Sequence, residues 1–418
     1  MSAIRTPYGW KTIPLRYVCE LYPSVSFDGL EEEDDVTFLP MDRVKNGYFI
    51  SNTDKFSKYA PSYNAFEDGD IVLAKVTPCF ENGNIAIAED LVRGKGFGSS
   101  ELFVIRATGA ERKFLFYYFQ SSAFKQEGEA SMTGAGGLKR VSPDVLRQHH
   151  VPLPSQDVQG IIANHLDRET ARIDGLIAEK ERMLALLEEK RAALISRVVT
   201  RGLDPNAPLK PSGQEWLGEI PAHWGLQRAK NLFAVRDERS EDGSEELLTV
   251  SHITGVTSRS EKDVYMFEAD DKAGYKRCMP GDLAINTLWA WMGAMGISPL
   301  EGIVSPDYHV YTSKGQLLPA YVELLCRSRP FVAEVNRWSK GVWSSRLRLY
   351  PENFFEMRLP VPPHDEQFEI VRTVETDQRK ANALRDSLQL SITLAKERRA
   401  ALITAAVTGQ IPLEAMRG

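Results

Sequence analysis

Twelve residues in two groups carry side chains able to read the edges of base pairs. In the first 150 positions they are Lys75, Thr77, Asn82, Lys95, Lys139 and Arg140, and farther along the chain they are Arg259, Lys340, Ser344, Ser345, Arg346 and Arg348. Arginine and lysine donate to the N7 and O6 acceptors of guanine, asparagine matches adenine, and serine or threonine serves either. Taken singly, each is also an ordinary occupant of a surface turn. Arg346 and Arg348 alternate at strand spacing, which would turn both to one face. Trp289, Trp291 and Trp343 are read as core residues rather than as groups that stack on bases.

Other chemistries find less support. The sequence holds no G-x-x-x-x-G-K-[ST] loop for a nucleoside triphosphate. "RGKGFG" places glycines at 94, 96 and 98 but follows no clear strand-to-helix pattern, so it reads poorly as a cofactor loop. The four cysteines, Cys19, Cys79, Cys278 and Cys326, form no C-x-x-C pair, and the seven histidines show no H-x-x-x-H spacing. The acidic runs "LEEEDDV" (30–36) and "DERSEDGSEE" (237–246) read as solvated loops. No catalytic, metal or cofactor residue is therefore assigned. There is no run of about 18 apolar residues to span a membrane, and the first residues have no secretory pattern, so the expected compartment is the cytoplasm.

The elements that must position the twelve residues are announced by a repeat. "RAALISRVVT" (191–200) returns as "RAALITAAVT" (399–408), and residues 151–203 align with 359–411 without a gap. Pro152, Pro154, Asp157, Gln159 and Ile162 return as Pro360, Pro362, Asp365, Gln367 and Ile370, while Leu176, Leu186 and Glu189 return as Leu384, Leu394 and Glu397. Each copy opens on a proline-bearing strap, "VPLPSQD" or "LPVPPHD", and then runs more than forty residues without another proline, which predicts one long helix. In the first helix Ile162, Leu166, Ile173, Ile177, Leu184, Leu187, Leu194 and Val198 fall three, four or seven apart. The second places Val374, Ala381, Leu388, Ala395 and Leu402 at intervals of seven. Seams of this period bury against another helix. A helix from Gln156 to Thr200 would be roughly 65–70 Å long, more than its own domain needs, so the two copies are expected to pack antiparallel on each other. Gly160 and Gly175 leave room for a bend.

The segments between the helices also correspond. Both open on a tryptophan, Trp10 or Trp224; both feed a turn into an apolar strand, "DGDIVLAKV" or "PGDLAINTL"; both follow with a serine-acid-strand element, "SSELFVIR" or "SPDYHVYT". Each closes on a glycine-containing basic stretch, "TGAGGLKRVSPDVL" or "KGVWSSRLRLYPENF". The expected fold is α+β: two pseudo-twofold-related mixed α/β domains, 1–150 and 204–358 (the latter with its linker), separated by long helices in 151–203 and 359–418 that form a coiled coil.

Two similar heads at a set distance suit a ligand with two features at a set spacing, and duplex DNA offers half-sites roughly 34–36 Å apart. The heads differ in sequence, so the target would be split and not palindromic. Charge qualifies the idea. The net charge is −6; residues 1–150 hold 17 Lys/Arg against 20 Asp/Glu, and 204–358 hold 18 against 21. Affinity resting mainly on phosphate neutralisation would need a more basic chain, so local cations read the bases, a partner grips the backbone, or both hold.

The straps "VPLPSQDVQGII" and "LPVPPHDEQFEIV", the helix end "KRAALISRVVTRGL" and the linker "KPSGQEWLGEIPAHWG" resemble the specificity subunit of type I restriction-modification systems. "GDIVLAKVTPCFENGNIA", "GFGSSELFVIR" and "MTGAGGLKRV" are similar to one common type of that family's target recognition domain, and "NTLWAWMGAMG" with "SPDYHVY" to another. The resemblance implies a non-catalytic subunit whose two domains each read half of a bipartite DNA target. Its helices would set the gap and dock two methyltransferase subunits, with an endonuclease-translocase subunit joining the complex. S-adenosylmethionine and ATP would belong to those partners and not to this chain, which also lacks the [DN]-P-P-[FYW] tetrapeptide of the family's adenine methyltransferases. The first strap has "SQDVQ" where the family more usually shows Pro-Leu-x-Glu-Gln. The alternatives are a coiled-coil adaptor whose two heads bind proteins, and a self-contained nuclease or methyltransferase, for which the motifs are missing.

Overall fold

The computed structural model describes residues 9–58, 63–135, 137–261, 271–341 and 347–417. The chain divides into two compact units: residues 1–181 with 389–418, and residues 182–388.

In the first unit the elements are β1 (Lys11–Pro14), β2 (Cys19–Leu21), β3 (Asp35–Leu39), β4 (Asn52–Lys55), β5 (Asn64–Glu67), β6 (Ile71–Ala74), β7 (Ile85–Ile87), β8 (Lys95–Gly98) and β9 (Leu102–Ala107). Three short helices follow, α1 (Arg112–Tyr118), α2 (Ser122–Ala130) and α3 (Pro143–Gln148), then β10 (His150–Leu153) and the long α4 (Gln156–Arg201). The second unit contains β11 (Leu209–Pro211), β12 (Glu219–Pro221), β13 (Gly225–Arg228), α5 (Ala229–Leu232), β14 (Phe233–Val235), β15 (Leu248–Ser251), β16 (Gly255–Ser258), β17 (Lys276–Cys278), β18 (Leu283–Asn286), β19 (Met295–Ile297), β20 (Gly302–Val304) and β21 (Tyr308–Ser313). It continues through α6 (Pro319–Arg327), α7 (Arg329–Trp338), α8 (Pro351–Glu356) and β22 (Arg358–Val361) into the long α9 (His364–Val407), whose residues from 389 onward belong to the first unit, as does α10 (Leu413–Met416).

The same frame is built twice. A four-stranded sheet runs β2-β9-β6-β7 in the first unit and β14-β21-β18-β19 in the second. The strap strand pairs antiparallel with the strand that opens each domain, β10 with β1 and β22 with β13. The central strands β6 and β18 are buried at every position, as continuous apolar runs require. Each is launched by a turn in which Gly69 or Gly281 takes the left-handed conformation, φ 99° and 91°. The aspartate that follows closes the turn: Asp70 accepts from the Glu67 amide at 2.9 Å, and Asp282 from the Met279 amide at 2.8 Å. Both carboxylates are buried, and both are paired. Arg106 on β9 holds Asp70 at 2.7 Å, while Arg236, just beyond β14, holds Asp282 at 2.6 Å. One charge problem has been solved from two different strands.

The first unit adds a second sheet, β4-β3-β8-β5, which has no four-stranded counterpart among the described residues of the second. It contains two of the glycines of the "RGKGFG" run: Lys95–Gly98 is a strand, and a Cβ on Gly96 would meet the Phe66 ring at 2.8 Å, so that glycine admits close packing between strands. The acidic run 30–36 is also more structured than a solvated loop. Asp35 and Val36 begin β3, and Asp34 binds the Arg93 guanidinium through both oxygens at 2.8 Å.

Both long helices are continuous. α4 passes through Gly160 and Gly175 without a break; its 46 residues correspond to about 69 Å at 1.5 Å per residue. Among the described residues no helix is long and apolar enough to cross a membrane. Within the first unit Ile162 and Leu166 of α4 share a core with Ile403, Ala406 and Val407 of α9. Within the second, Ile370 and Val374 of α9 share a core with Ile195, Val198 and Val199 of α4. The ion pairs Asp174–Arg399 (2.9 Å) and Glu181–Lys396 (3.5 Å) run in opposite chain directions, so the pairing in the first unit is antiparallel. The opening of each helix thus packs on the ending of the other copy, which is why the repeated string recurs in both. Ala381, Leu388, Ala395 and Leu402 of the expected seam are buried or half-buried, whereas the repeated pairs Leu176/Leu384 and Leu186/Leu394 are more than half exposed.

The repeated glutamines fasten strap, helix and domain together. Gln159 accepts from the Glu111 amide at 2.7 Å and donates to the Pro154 carbonyl at 2.8 Å. Gln367 accepts from the Leu318 amide at 2.7 Å and donates to the carbonyls of Gln316 and Pro362 at 3.0 and 2.9 Å. Both side chains are buried. Gln367→Leu keeps the volume but strands an amide and two carbonyls away from water, so it is expected to destabilise the second unit by about 2–4 kcal/mol and lower its melting temperature by about 5–15 °C. Gln367→Glu should recover little, since it removes both donated bonds. Differential scanning calorimetry reads this directly, and an unchanged melting temperature would mean that the latch carries no load.

Candidate nucleic-acid interface

The frame brings three loops together beyond the same end of the central strand in each unit. In the first they are the loop after β6 (75–84), the turn before β9 (99–101) and the glycine-rich hairpin closed by Thr133 and Arg140. The backbone stitches them: Lys75 N–H donates to Glu101 O at 3.1 Å, Val141 N–H to Lys75 O at 2.8 Å, and Thr77 N–H to Lys139 O at 3.0 Å. Thr133 and Arg140 exchange two amide bonds across the hairpin, at 3.0 and 2.9 Å. In the second unit the loop after β18 begins at Thr287, the turn before β21 ends at Asp307, and Lys340 and Arg348 exchange the corresponding two bonds at 2.9 Å each. The hydroxyl of Thr287 donates to Asp307 O at 2.5 Å, and Leu349 N–H reaches Thr287 O at 3.4 Å.

The nominated residues divide on this frame. Lys75, Thr77, Lys139 and Arg140 sit together in the first cluster. Lys75 is half-buried with its ammonium 5.6 Å from the Phe103 ring centre, and desolvation holds its pKa below the usual lysine value. The Thr77 hydroxyl donates to Gly137 O at 3.0 Å and accepts from the Lys139 amide at 2.9 Å, so it shapes the cluster. Lys139 and Arg140 are exposed. Asn82 lies on the same loop but lines a cavity of about 760 Å³ with Lys125, Asp174 and Arg399. Lys95 belongs to the second sheet, where its ammonium donates to the Ser26 carbonyl and sits 5.8 Å from the Phe27 ring centre.

In the second cluster Lys340 and Arg348 are exposed, and neither side chain has a hydrogen-bond or ion-pair partner among the described residues. Arg259, at the end of the β15-β16 hairpin, lies close enough to Tyr308 to act on it electrostatically. Ser344, Ser345, Arg346 and Trp343 lie outside the described residues. Trp289 departs from the expectation of a core residue. It is 50% exposed in the loop after β18, with its ring centre 6.3 Å from that of the half-buried Trp291. The loop turns it outward because the short helical turn Ala290–Met292 buries Ala290 instead.

Sequence reasoning missed the acids of the two clusters. Glu101 grips Arg140 through three bonds, two from Nε (2.9 and 3.2 Å) and one from Nη2 (2.8 Å). These bonds hold its carboxyl below the usual glutamate range. Asp307 occupies the matching turn. The signal was available in the duplicated serine-acid-strand element, whose acid was read only as a marker of the strand. Among the described residues no group of three or more His, Cys, Asp or Glu side chains is placed to hold a metal ion. All four cysteines are reduced, and burial pushes the thiols of Cys19 and Cys278 up to about 12.

Known proteins resemble parts or the whole of this chain. Residues 7–182 match the family described as type I restriction modification DNA specificity domain. The chain is 35% identical over 153 residues to the specificity subunit of the type I restriction enzyme EcoAI of Escherichia coli, and 32% identical over 161 residues to that of EcoEI from the same organism. Those matches span 35% and 37% of this chain but only 26% and 27% of the relatives, about a quarter of their length. The EcoDI specificity subunit of E. coli is 21% identical over 90% of this chain and 82% of its own. Among solved structures, a chain from work on complex assembly and conformational transition of the type I R-M system superposes with a TM-score of 0.73 at 18% identity, covering 97% of this chain and all of that one. The HsdS subunit of Thermoanaerobacter tengcongensis gives 0.54 at 16% identity over 98% and 99%.

Proposed function

We infer that this chain, whose residues 7–182 match the type I restriction modification DNA specificity domain family, is the sequence-reading subunit of such a complex. Each unit reads one half of a bipartite, non-palindromic duplex target. The observation that carries the reading is the duplication of one three-loop cluster on one sheet frame with different side chains in the two copies. Lys75, Glu101 and Arg140 in the first stand where Thr287, Asp307 and Arg348 stand in the second. A shared frame with exchanged tips is what two readers of different short words require, because base identity is set by the pattern of donors and acceptors at the groove edge.

The subunit itself performs no chemistry in this reading. Two methyltransferase subunits and an endonuclease-translocase subunit supply it, together with S-adenosylmethionine and ATP. The net charge of −6 fits that division, since partners provide most of the grip on phosphate while this chain supplies discrimination. α4 and α9 each contribute to both units, and the number of residues between the two clusters along these helices sets the gap in the target.

Genome-wide mapping of methylated adenines, with the chain co-produced with its methyltransferase subunits, tests the proposal. The expected map is a single motif of two short words with a fixed gap, lost when this chain is omitted. Methylation that persists without the chain, or that follows no two-part motif, would overturn the reading. A protein-binding adaptor would in addition retain no specific duplex in either the free or the assembled form.

A further inference from the structure

The guanidinium of Arg140 has two hydrogen-bonding edges, and the structure uses only one of them. Its side edge, Nε with Nη2, is filled by the Glu101 carboxylate. Its end edge, Nη1 with the outer hydrogen of Nη2, has no partner among the described residues, and the side chain is 47% exposed. The backbones of both residues are fixed. Arg140 is bonded across its hairpin to Thr133, and Glu101 is bonded through its amide to Ser99 Oγ at 3.2 Å and through its carbonyl to Lys75. The free edge is therefore presented in a set direction by a group whose rotamers are already restricted.

We propose that Arg140, buttressed by Glu101, reads a guanine in the half-site of the first unit through N7 and O6. Two parallel N–H donors match two adjacent acceptors, and in the major groove guanine alone offers that pair on one base; adenine presents an acceptor beside a donor, thymine one acceptor, cytosine a donor. A phosphate also offers two acceptors, but the Glu101 carboxylate against the same guanidinium opposes the approach of a full negative charge more strongly than that of a neutral base edge. Glu101 is a positioning residue here and touches no base. The second unit has no such buttress, since Arg348, in the matching hairpin position, has no carboxylate partner among the described residues. The inference is thus confined to the first unit, and it rests on the reading of the chain as a DNA specificity subunit.

The experiment uses the complete complex with its methyltransferase subunits. Motifs are mapped for the parent, Arg140→Lys and Glu101→Gln, and the parent is also assayed on duplexes in which 7-deazaguanine replaces single guanines. The parent motif is expected to contain a guanine in the half assigned to residues 1–150. Arg140→Lys should relax that one position, with roughly a 10- to 100-fold loss of preference, and leave the other half unchanged. Glu101→Gln should relax the same position more weakly. In the parent, 7-deazaguanine at that position should cost roughly 10-fold, a result independent of how the variants fold.

Four results overturn the proposal: a first half-site without guanine, a motif unmoved by Arg140→Lys, an equal fall at all sites in that variant, which is the behaviour of a phosphate contact, or relaxation of a cytosine position by Glu101→Gln, which would make the acid itself the reader. Failure of the functional reading looks different, because the parent complex would then show no two-part motif at all.

Discussion

Val407→Asp is expected to unfold the first unit while the second stays folded. Val407 is the last residue of α9, only eleven positions from the end of the chain, yet it is completely buried in the core of a unit built mostly from residues 9–181. Its neighbours there include Ile162, Leu166 and Ile403, all apolar side chains. The substitution loses the burial of a valine and either buries a charge or forces its protonation, together about 4–6 kcal/mol. That is comparable with the whole stability of a domain, about 5–15 kcal/mol. Amide hydrogen exchange should then show loss of protection in Ile71–Ala74 and Leu102–Ala107 and retained protection in Leu283–Asn286 and Tyr308–Ser313. Val199→Asp, at the matching position of α4, should give the mirror-image result, because Val199 is equally buried with Ile370 and Val374 in the other unit. Loss of protection in both units after either change would mean that they melt as one body.

The pairing behind this prediction was legible in the sequence because it rests on periodicity and duplication, which survive without coordinates. Ile162, Leu166, Val198 and Val374 of the expected seams are buried in these cores, and the gapless alignment of the copies left few ways to satisfy both seams. The strap glutamines were visible as repeats, but their work was not. That Gln159 bonds Glu111 and Gln367 bonds Leu318 depends on a strand and a helix meeting a loop distant in sequence. The second sheet of the first unit was hidden for a similar reason. β3 and β8 pair in parallel across more than fifty residues, and short strands with interior glycines carry little local signal.

The site was half legible. Lys75, Thr77, Lys139 and Arg140 were nominated by residue type near strand ends, and the hairpin closing on Arg140 gathers them. Lys95 and Asn82 passed the same test and lie elsewhere, because residue type does not say which loops converge. Trp289 was judged by the average behaviour of tryptophan, which a tight turn that buries its neighbour overrides. Glu101 shows the deepest gap: its importance is relational, fixed by an arginine 39 residues away, and no single-position property announces such a pair.

Exchange of residues 1–150 for the corresponding domain of another family member is expected to replace one half of the methylated motif and to leave the other half and the gap intact. The frame states what the graft must keep. The first domain is fastened to the long helices by the Glu111 amide on Gln159 (2.7 Å), by Tyr117 and Lys113 on Asp167 (2.7 and 2.6 Å), by Gln120 on Arg399 (3.2 Å) and by the Ser122 amide on Thr404 (3.0 Å). All of these come from α1, α2 and the residues flanking them, and none of these hydrogen bonds comes from the loops 75–77, 99–101 or 133–141. On the proposed reading, recognition and attachment fall to different parts of one domain, so loop chemistry can change without disturbing the joint. Since specific sites are bound at least about 10³-fold more tightly than random duplex, methylation at the parental sites should fall by that factor or more while new sites appear. A donor lacking the α1 and α2 contacts should fail to assemble even with intact loops, and restoring Gln120 and Ser122 equivalents should rescue it. If instead the graft altered both halves of the motif, the two clusters would not be independent readers; if it altered neither, the words would be read somewhere other than these loops.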